Sequence, residues 1–333
     1  MAAGESPGVL RVLEYGRDRE VAFRPIKPDA IKAVIPAAEG APLLWIDAPD
    51  PEPDELAALI DAFQWHPLIV DDIEHGDQRQ KAEQFPSQIL AVLRVPRTAK
   101  EPACEMFLVQ AEHALVTVHH LPVEWIDRRG VEVAARTDLE VHCAAAAVAT
   151  ILGAVADAYE ESIDVLEELV EKQEAGALEA DGDPAPALRR AAAARTIISE
   201  VRRSCGQFRE VVGVFVRREL LNTVHTPELD LELRDVLDHA VRAHEDLDML
   251  HDRMSSLADT RLAMVAYRQN EITKQLSAWA AVLLVPTIIT GWFGQNFRDM
   301  VGITWRHGEL FSLGLIALCA TGIYFVMRRA KWL

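Results

Sequence analysis

The sequence predicts an α+β membrane protein: an N-terminal α/β domain, a series of long helices, and two transmembrane helices at about 275–293 and 310–328. Three observations carry this. Two uncharged apolar runs, Leu276 to Phe293 and Leu310 to Met327, are each 18 residues long; at about 1.5 Å per helical residue each reaches roughly 27 Å, close to a bilayer's apolar thickness of about 30 Å. Over residues 1–135, short apolar stretches alternate with polar turns and shorter helical pieces. From about residue 139 the composition shifts to Ala, Leu, Glu and Arg at helical spacing, and strand signals disappear.

In chain order, Pro42 to Ile46, Gln88 to Val95, Met106 to Gln110 and Ala114 to Val118 read as strands, so 1–135 is expected to be a small α/β domain. Residues 136–227 read as a helical hairpin, with helices Val141 to Glu179 and Leu188 to Leu221 parted by the turn Gly182-Asp183-Pro184-Ala185-Pro186. A second break falls at His225-Thr226-Pro227, whose proline suits the first turn of a helix starting near Glu228. From there no proline or glycine occurs before Pro286 and Gly291, so one helix over 228–293 is expected to run from the cytosol through the membrane, reaching about 95 Å. Pro286 removes one backbone hydrogen bond and is expected to kink it. Residues 294–309 form an external loop opening on Gly294-Gln295-Asn296, the second span covers 310–328, and 329–333 are a basic cytosolic segment.

The charge-free stretch between Lys274 and Arg298 is 23 residues, leaving the first span length for tilt. Two buried helices of a soluble protein are the alternative. Arg268 and Lys274 precede the first span, and Arg328, Arg329 and Lys331 follow the second. Basic residues favour the cytoplasmic side, so both termini are expected there, with the loop outside. The N-terminal stretch is acidic and poor in apolar residues. No signal peptide is expected, and residues 1 to about 270 should lie in the cytosol.

Cys104, Cys143, Cys205 and Cys319 lie far apart without CxxC spacing and read as reduced core residues. Lys and Arg number 34 against 52 acidic residues, a net charge of −18. That balance argues against nucleic acid as a partner and for cations. No nucleotide-binding loop, nucleophile elbow or catalytic His/Cys pairing is visible, so an enzyme is not expected.

On the long helix, Asn270, Thr273, Ser277, Leu284, Thr287 and Gly291 fall within about 100° of one another at 100° per residue. Such a small or polar stripe can line water or let helices pack closely. A chain with two spans cannot enclose an aqueous path, because its stripe would face lipid on most sides; any pore needs several copies. A ring of Asn296 carbonyl oxygens at the mouth would suit a hard cation that keeps its water shell.

These residues carry a resemblance. Thr290-Gly291-Trp292-Phe293-Gly294-Gln295-Asn296-Phe297, followed by a second span and the basic Arg328-Arg329-Ala330-Lys331-Trp332-Leu333, resembles the CorA family of divalent-cation channels. The family signature is Gly-Met-Asn, often followed by Phe; Gln295 stands here in place of the methionine. The loop shows Arg298-Asp299-Met300-Val301 where the family usually has Met-Pro-Glu. His66-Pro67-Leu68-Ile69-Val70-Asp71-Asp72-Ile73, leading to Gln78-Arg79-Gln80-Lys81, is similar to the family's His-Pro-Leu-x-x-Glu-Asp and Gln-Arg-Pro-Lys elements. Arg234-Asp235-Val236-Leu237-Asp238-His239 resembles the start of its long pore helix.

The resemblance implies a homopentamer with a funnel-shaped cytosolic part and passive entry of Mg²⁺, with Co²⁺ and Ni²⁺ also passing. Gly294, Gln295 and Asn296 would form the selectivity filter, and Asp259 and Asn270 would face the pore with Thr287 further out. Asp71, Asp72 and Asp235 would bind Mg²⁺ between neighbouring subunits and hold the channel closed. Carboxylates at a subunit boundary repel until a divalent ion bridges them.

Two other readings stand beside this one. Zinc-transporting relatives, the ZntB group, also replace the signature methionine. The adjacent His119-His120, and His239, His244 and His251 at spacings of five and seven, offer no histidine pair four apart on one helix. The second alternative is a scaffold whose spans only tether it, which would tolerate alanine at Asn296.

Overall fold

The structure is a computed structural model that describes residues 9–15, 22–35, 43–97, 103–111, 114–136, 144–178, 185–217, 226–295 and 305–333. Two compact units divide the chain, 1–181 with 189–255 and 182–188 with 256–333.

The first unit is built on a seven-stranded sheet. Its strands are β1 (Arg11–Glu14), β2 (Arg24–Pro25), β3 (Leu44–Pro49), β4 (Lys81–Gln84), β5 (Ile89–Val95), β6 (Cys104–Gln110) and β7 (Ala114–His119), in the spatial order β2-β1-β3-β7-β6-β5-β4. Among the described residues only β3 and β7 pair in parallel, with Leu44 opposite Ala114 and Pro49 opposite His119. The inner strands are apolar almost throughout, because both faces of the sheet are covered. On one face Ile46, Val92, Phe107 and Val116 meet Leu59 of α2 (Pro53–Phe63) and Ile69 of α3 (Pro67–His75), with Ile31 of the short α1 (Ile31–Val34). Against the sheet also lies α5 (Ala144–Leu178), which packs on β5, β6 and β7 and carries α4 (Val123–Ala135) beside it. Two further helices follow, α6 (Ala185–Val216) and α7 (Pro227–Phe293).

Several elements differ in extent from the sequence reading. β3 runs to Pro49 rather than ending at Ile46, because Asp47 is neutralised inside the fold instead of ending the strand. β1, β2 and β4, of four, two and four residues, are too short to register as strands alone. α6 begins at Ala185, inside the segment read as a turn, since proline at position two of a helix lacks an N–H that would have had no partner anyway. α7 starts with Pro227 itself and continues through Pro286.

Asp47 centres a buried polar network. Arg11 Nε donates to Asp47 Oδ2 at 3.1 Å, a second guanidinium nitrogen donates to the same oxygen, and Nη1 reaches Asp127 Oδ1 at 2.8 Å. Thr117 Oγ1 donates to Asp47 Oδ1 at 2.6 Å, and His119 Nε2 lies 2.9 Å from that oxygen. The Leu121 amide donates to His119 Nδ1 at 3.0 Å, so the imidazole proton sits on Nε2 and points at Asp47. Burial alone would raise the Asp47 pKa. Hydrogen bonds from His119, Arg11 and Thr117, with the charge of Arg11, outweigh it and hold the carboxyl below its usual range.

In the second unit, α8 (Gly308–Arg329) lies beside α7, with the Trp279 and Tyr324 rings 6.5 Å apart. Both helices are long and apolar enough to cross a membrane, yet only 6% and 0% of their apolar windows is buried. Neither helix is therefore a buried core helix of the single chain. Trp292, Trp305 and Trp332 are exposed near the span ends, where indole rings favour the membrane–water boundary. α8 closes in a Schellman turn: Trp332 N donates to Met327 O at 2.9 Å and Lys331 N to Arg328 O at 3.1 Å, with Lys331 at φ 59°.

The Asp47 network sets a pH dependence. A carboxyl whose folded pKa is depressed stabilises above its unfolded value of about 3.9 and loses that contribution as pH falls through the folded pKa. Asp47→Asn is expected to cost about 3 kcal/mol at pH 7 and to flatten the decline below about pH 4, read as unfolding temperature against pH. An unchanged acid limb in the variant would contradict this.

Candidate functional site

Asp259, Asn270, Thr273, Ser277, Leu284, Thr287 and Gly291 all lie on α7, and all are exposed in the single chain. Ala278, Ala281, Val282, Val285, Pro286 and Ile289 are buried or half-buried. At 100° per residue these six fall within about 140° of one another, centred about 140° from the middle of the stripe. Trp279, which meets Tyr324 of α8, lies next to that covered sector. The stripe therefore faces away from α8.

The hydroxyls on this stretch are oriented by the helix. Thr273 Oγ1 donates to Gln269 O at 2.8 Å, Thr287 Oγ1 to Leu283 O at 3.1 Å, and Thr290 Oγ1 to Pro286 O at 2.6 Å. With each proton committed to the backbone, the oxygen lone pairs are what a neighbouring water meets. At the helix end Gly294 N donates to Thr290 O at 2.8 Å, and a Cβ on residue 294 would stand only 2.9 Å from that oxygen. Only glycine fits this close approach. Gln295 is exposed just beyond, and Asn296 lies outside the described residues.

Asp71 and Asp72 sit mid-helix on α3, whose ends are both fixed. His66 caps the start, its Nδ1 accepting from Leu68 N at 3.3 Å, and Pro67 takes the first position. Gly76 ends the helix at φ 60°, a conformation that favours glycine. Glu105 then pins the next turn by accepting from Asp77 N at 2.9 Å and Gln78 N at 2.6 Å. Asp71 is 65% exposed, with Oδ1 3.2 Å from His75 Nδ1. The hydrogen bond with the Asp71 carbonyl, followed by the Asp71 charge, raises the His75 pKa. Asp72 is only 13% exposed and is ion-paired to Lys81 Nζ at 2.8 Å.

Asp235 projects from α7 and is 75% exposed, with His239 Nε2 3.8 Å away. His239 Nδ1 also reaches Glu160 of α5 at 2.5 Å. Among the described residues no three His, Cys, Asp or Glu side chains converge as a metal cluster. Sequence reasoning missed Lys81, although it belongs to the Gln78–Lys81 motif, and Gln80. Gln80 is buried; its Nε2 donates to Ser204 O at 2.7 Å and Ser204 Oγ at 3.0 Å, while its Oε1 accepts from Arg94 N at 3.0 Å. It thereby ties the segment after α3 to α6. A glutamine carries no signal of burial in sequence alone.

The model of one family, described as CorA-like Mg²⁺ transporter protein, matches residues 40–329. The chain belongs to that CorA family. Among its relatives is the "Cobalt/magnesium transport protein CorA" of Thermotoga maritima, 23% identical over 97% of this chain and 92% of the relative. The complete CorA magnesium transporter from Methanocaldococcus jannaschii has a similar structure, with TM-score 0.78 at 19% identity, covering 98% of this chain and 99% of that one. The ZntB cytoplasmic domain from Vibrio parahaemolyticus is more distant, with TM-score 0.59 at 12% identity over 78% of this chain and 99% of that domain. The fold is thus that of the complete CorA structure, and the chain is a CorA-family divalent-cation transporter.

Burial ranks two neighbouring contacts. Gln80→Ala strands buried partners and is expected to destabilise by about 2 kcal/mol. Arg79→Ala removes only an exposed pair with Glu210 at 2.8 Å and is expected to cost under about 1 kcal/mol. Unfolding temperatures of the two variants check this; equal losses would contradict the ranking.

Proposed function

We propose that this chain assembles as a homopentamer in the cytoplasmic membrane, with both termini cytosolic. There it conducts Mg²⁺, with Co²⁺ and Ni²⁺ also passing, and closes when cytosolic Mg²⁺ is high. The observation that carries the reading is the position of the stripe: Asn270 to Gly291 lie on the exposed side of α7, turned away from α8. In lipid that face is unfavourable, and around a common axis it lines water.

Along this path the outward lone pairs of Thr273 and Thr287 accept hydrogen bonds from the water shell of a cation. Mg²⁺ gives up its waters reluctantly, so a pore that binds the hydrated ion needs acceptors rather than bare ligands. Gly294, Gln295 and Asn296 form the filter, with Asn296 carbonyl oxygens at the mouth and Gln295 as a variant of the usual methionine. Asp259 lies further along the same helix on the cytosolic side.

Closure is assigned to Asp71, Asp72 and Asp235. Their carboxylate oxygens are hard donors suited to Mg²⁺. Asp71 and Asp235 are largely exposed in the single chain, which leaves both accessible to a neighbouring copy and supports an ion shared between subunits. The names of the relatives favour magnesium and cobalt.

Uptake into liposomes carrying the purified protein tests the reading. Mg²⁺ flux is expected to proceed without a pH gradient and to fall at least about tenfold in Asn296→Ala, the scale of losing one group that orients the passing ion. Undiminished flux in Asn296→Ala would overturn the filter assignment, and no flux at all would favour a tether. Zn²⁺ flux driven by protons would mean a zinc transporter.

A further inference from the structure

Asp71 and Asp72 are neighbours in sequence but differ in state. Asp71 is 65% exposed and Asp72 13%. Lys81 Nζ stands 2.8 Å from Asp72 Oδ2 and 3.2 Å from Glu83 Oε2, so one ammonium serves two carboxylates. The backbone on both sides of this contact is held in place. Asp72 is on a helix fixed by the His66 cap and the Gly76 turn. Lys81 opens β4, paired with Val92 of β5, directly after Gln80 with its bonds to Arg94 and Ser204. Preorganisation lowers the entropic cost of the pair, so it should be stronger than a typical surface ion pair.

We infer that Lys81 is a built-in competitor for the divalent ion at Asp72: its ammonium occupies the carboxylate at low Mg²⁺ and sets the concentration at which the ion can take its place. An arriving Mg²⁺ with its waters must release Asp72 from Lys81, which then remains with Glu83. The apparent affinity of the sensing site is thus the difference between the two cations' hold on Asp72, and Lys81 acts as a positioning residue without touching the transported ion. This inference rests on the assignment of Asp72 to Mg²⁺ sensing.

The test uses the full chain and two readouts, the Mg²⁺ concentration that half-inhibits uptake and the midpoint of the Mg²⁺-dependent rise in unfolding temperature. Lys81→Gln removes the competing charge and is expected to lower both midpoints about tenfold, the scale of a preorganised, partly screened ion pair. Lys81→Arg should restore values near the original. In an Asp72→Asn background Lys81→Gln should shift neither midpoint. A purely structural role would lower the unfolding temperature of Lys81→Gln and leave both midpoints in place, which would overturn the inference. If Mg²⁺ changes neither uptake nor unfolding temperature in the unsubstituted protein, the sensing assignment itself fails, and the role of Lys81 with it.

Discussion

An apolar helix surface can rest only against lipid or against another protein surface, and α7 and α8 leave most of theirs uncovered. Leu276, Leu283, Leu310 and Leu318 are each more than three-fifths exposed in the single chain. Burial of such a side chain is worth about 2 kcal/mol, so this surface dominates where the protein can reside. The bilayer satisfies the leucines, but it does not satisfy Asn270, Thr273 and Ser277. In the proposed assembly the leucine surface meets lipid and the stripe meets other copies. The proposed pore, the exposed tryptophans at the span ends and the basic residues after α8 all fit that one constraint.

The carboxylates of the α/β unit depend on a different device, a rigid frame around α3. Proline and histidine start the helix, glycine stops it, Glu105 holds the following turn, and Gln80 anchors β4 to α6. Asp71 is thereby presented to solvent while Asp72 is held by Lys81. Two like charges 4 Å apart repel by about 1 kcal/mol in water and about 4 kcal/mol at an effective dielectric of 20. Copies that brought such carboxylates together would be pushed apart in proportion to how much water they expelled. A divalent ion reverses the sign of that interaction, which gives the proposed closure its physical basis.

Much of this was legible in sequence because its signals are local. Uncharged runs, a proline-led helix start and the small-residue stripe all depend on periodicity and composition, and the structure places those residues on long helices as expected. β1, β2 and β4 were not legible, since strands of four residues or fewer are defined by their neighbours. Asp47 was missed for a related reason: a carboxylate inside a strand reads as a strand end unless its partners Arg11, Thr117 and His119, up to 72 residues away, are known. The pairing of Asp72 with Lys81 is likewise tertiary. The two successive motifs that contain them give their order, not their contact.

The most direct measurement of the central claim is the reactivity of single cysteines along α7 toward a membrane-impermeant thiol reagent, in protein whose four native cysteines have been replaced. Cysteines at Ser277, Leu284 and Thr287 would be compared with cysteines at Val282, Val285 and Ile289. The account predicts rapid labelling at the first three and protection at the second three, with Mg²⁺ slowing only the former. Equal protection at all six, or faster labelling on the side facing α8, would contradict a water-filled path lined by this face of α7.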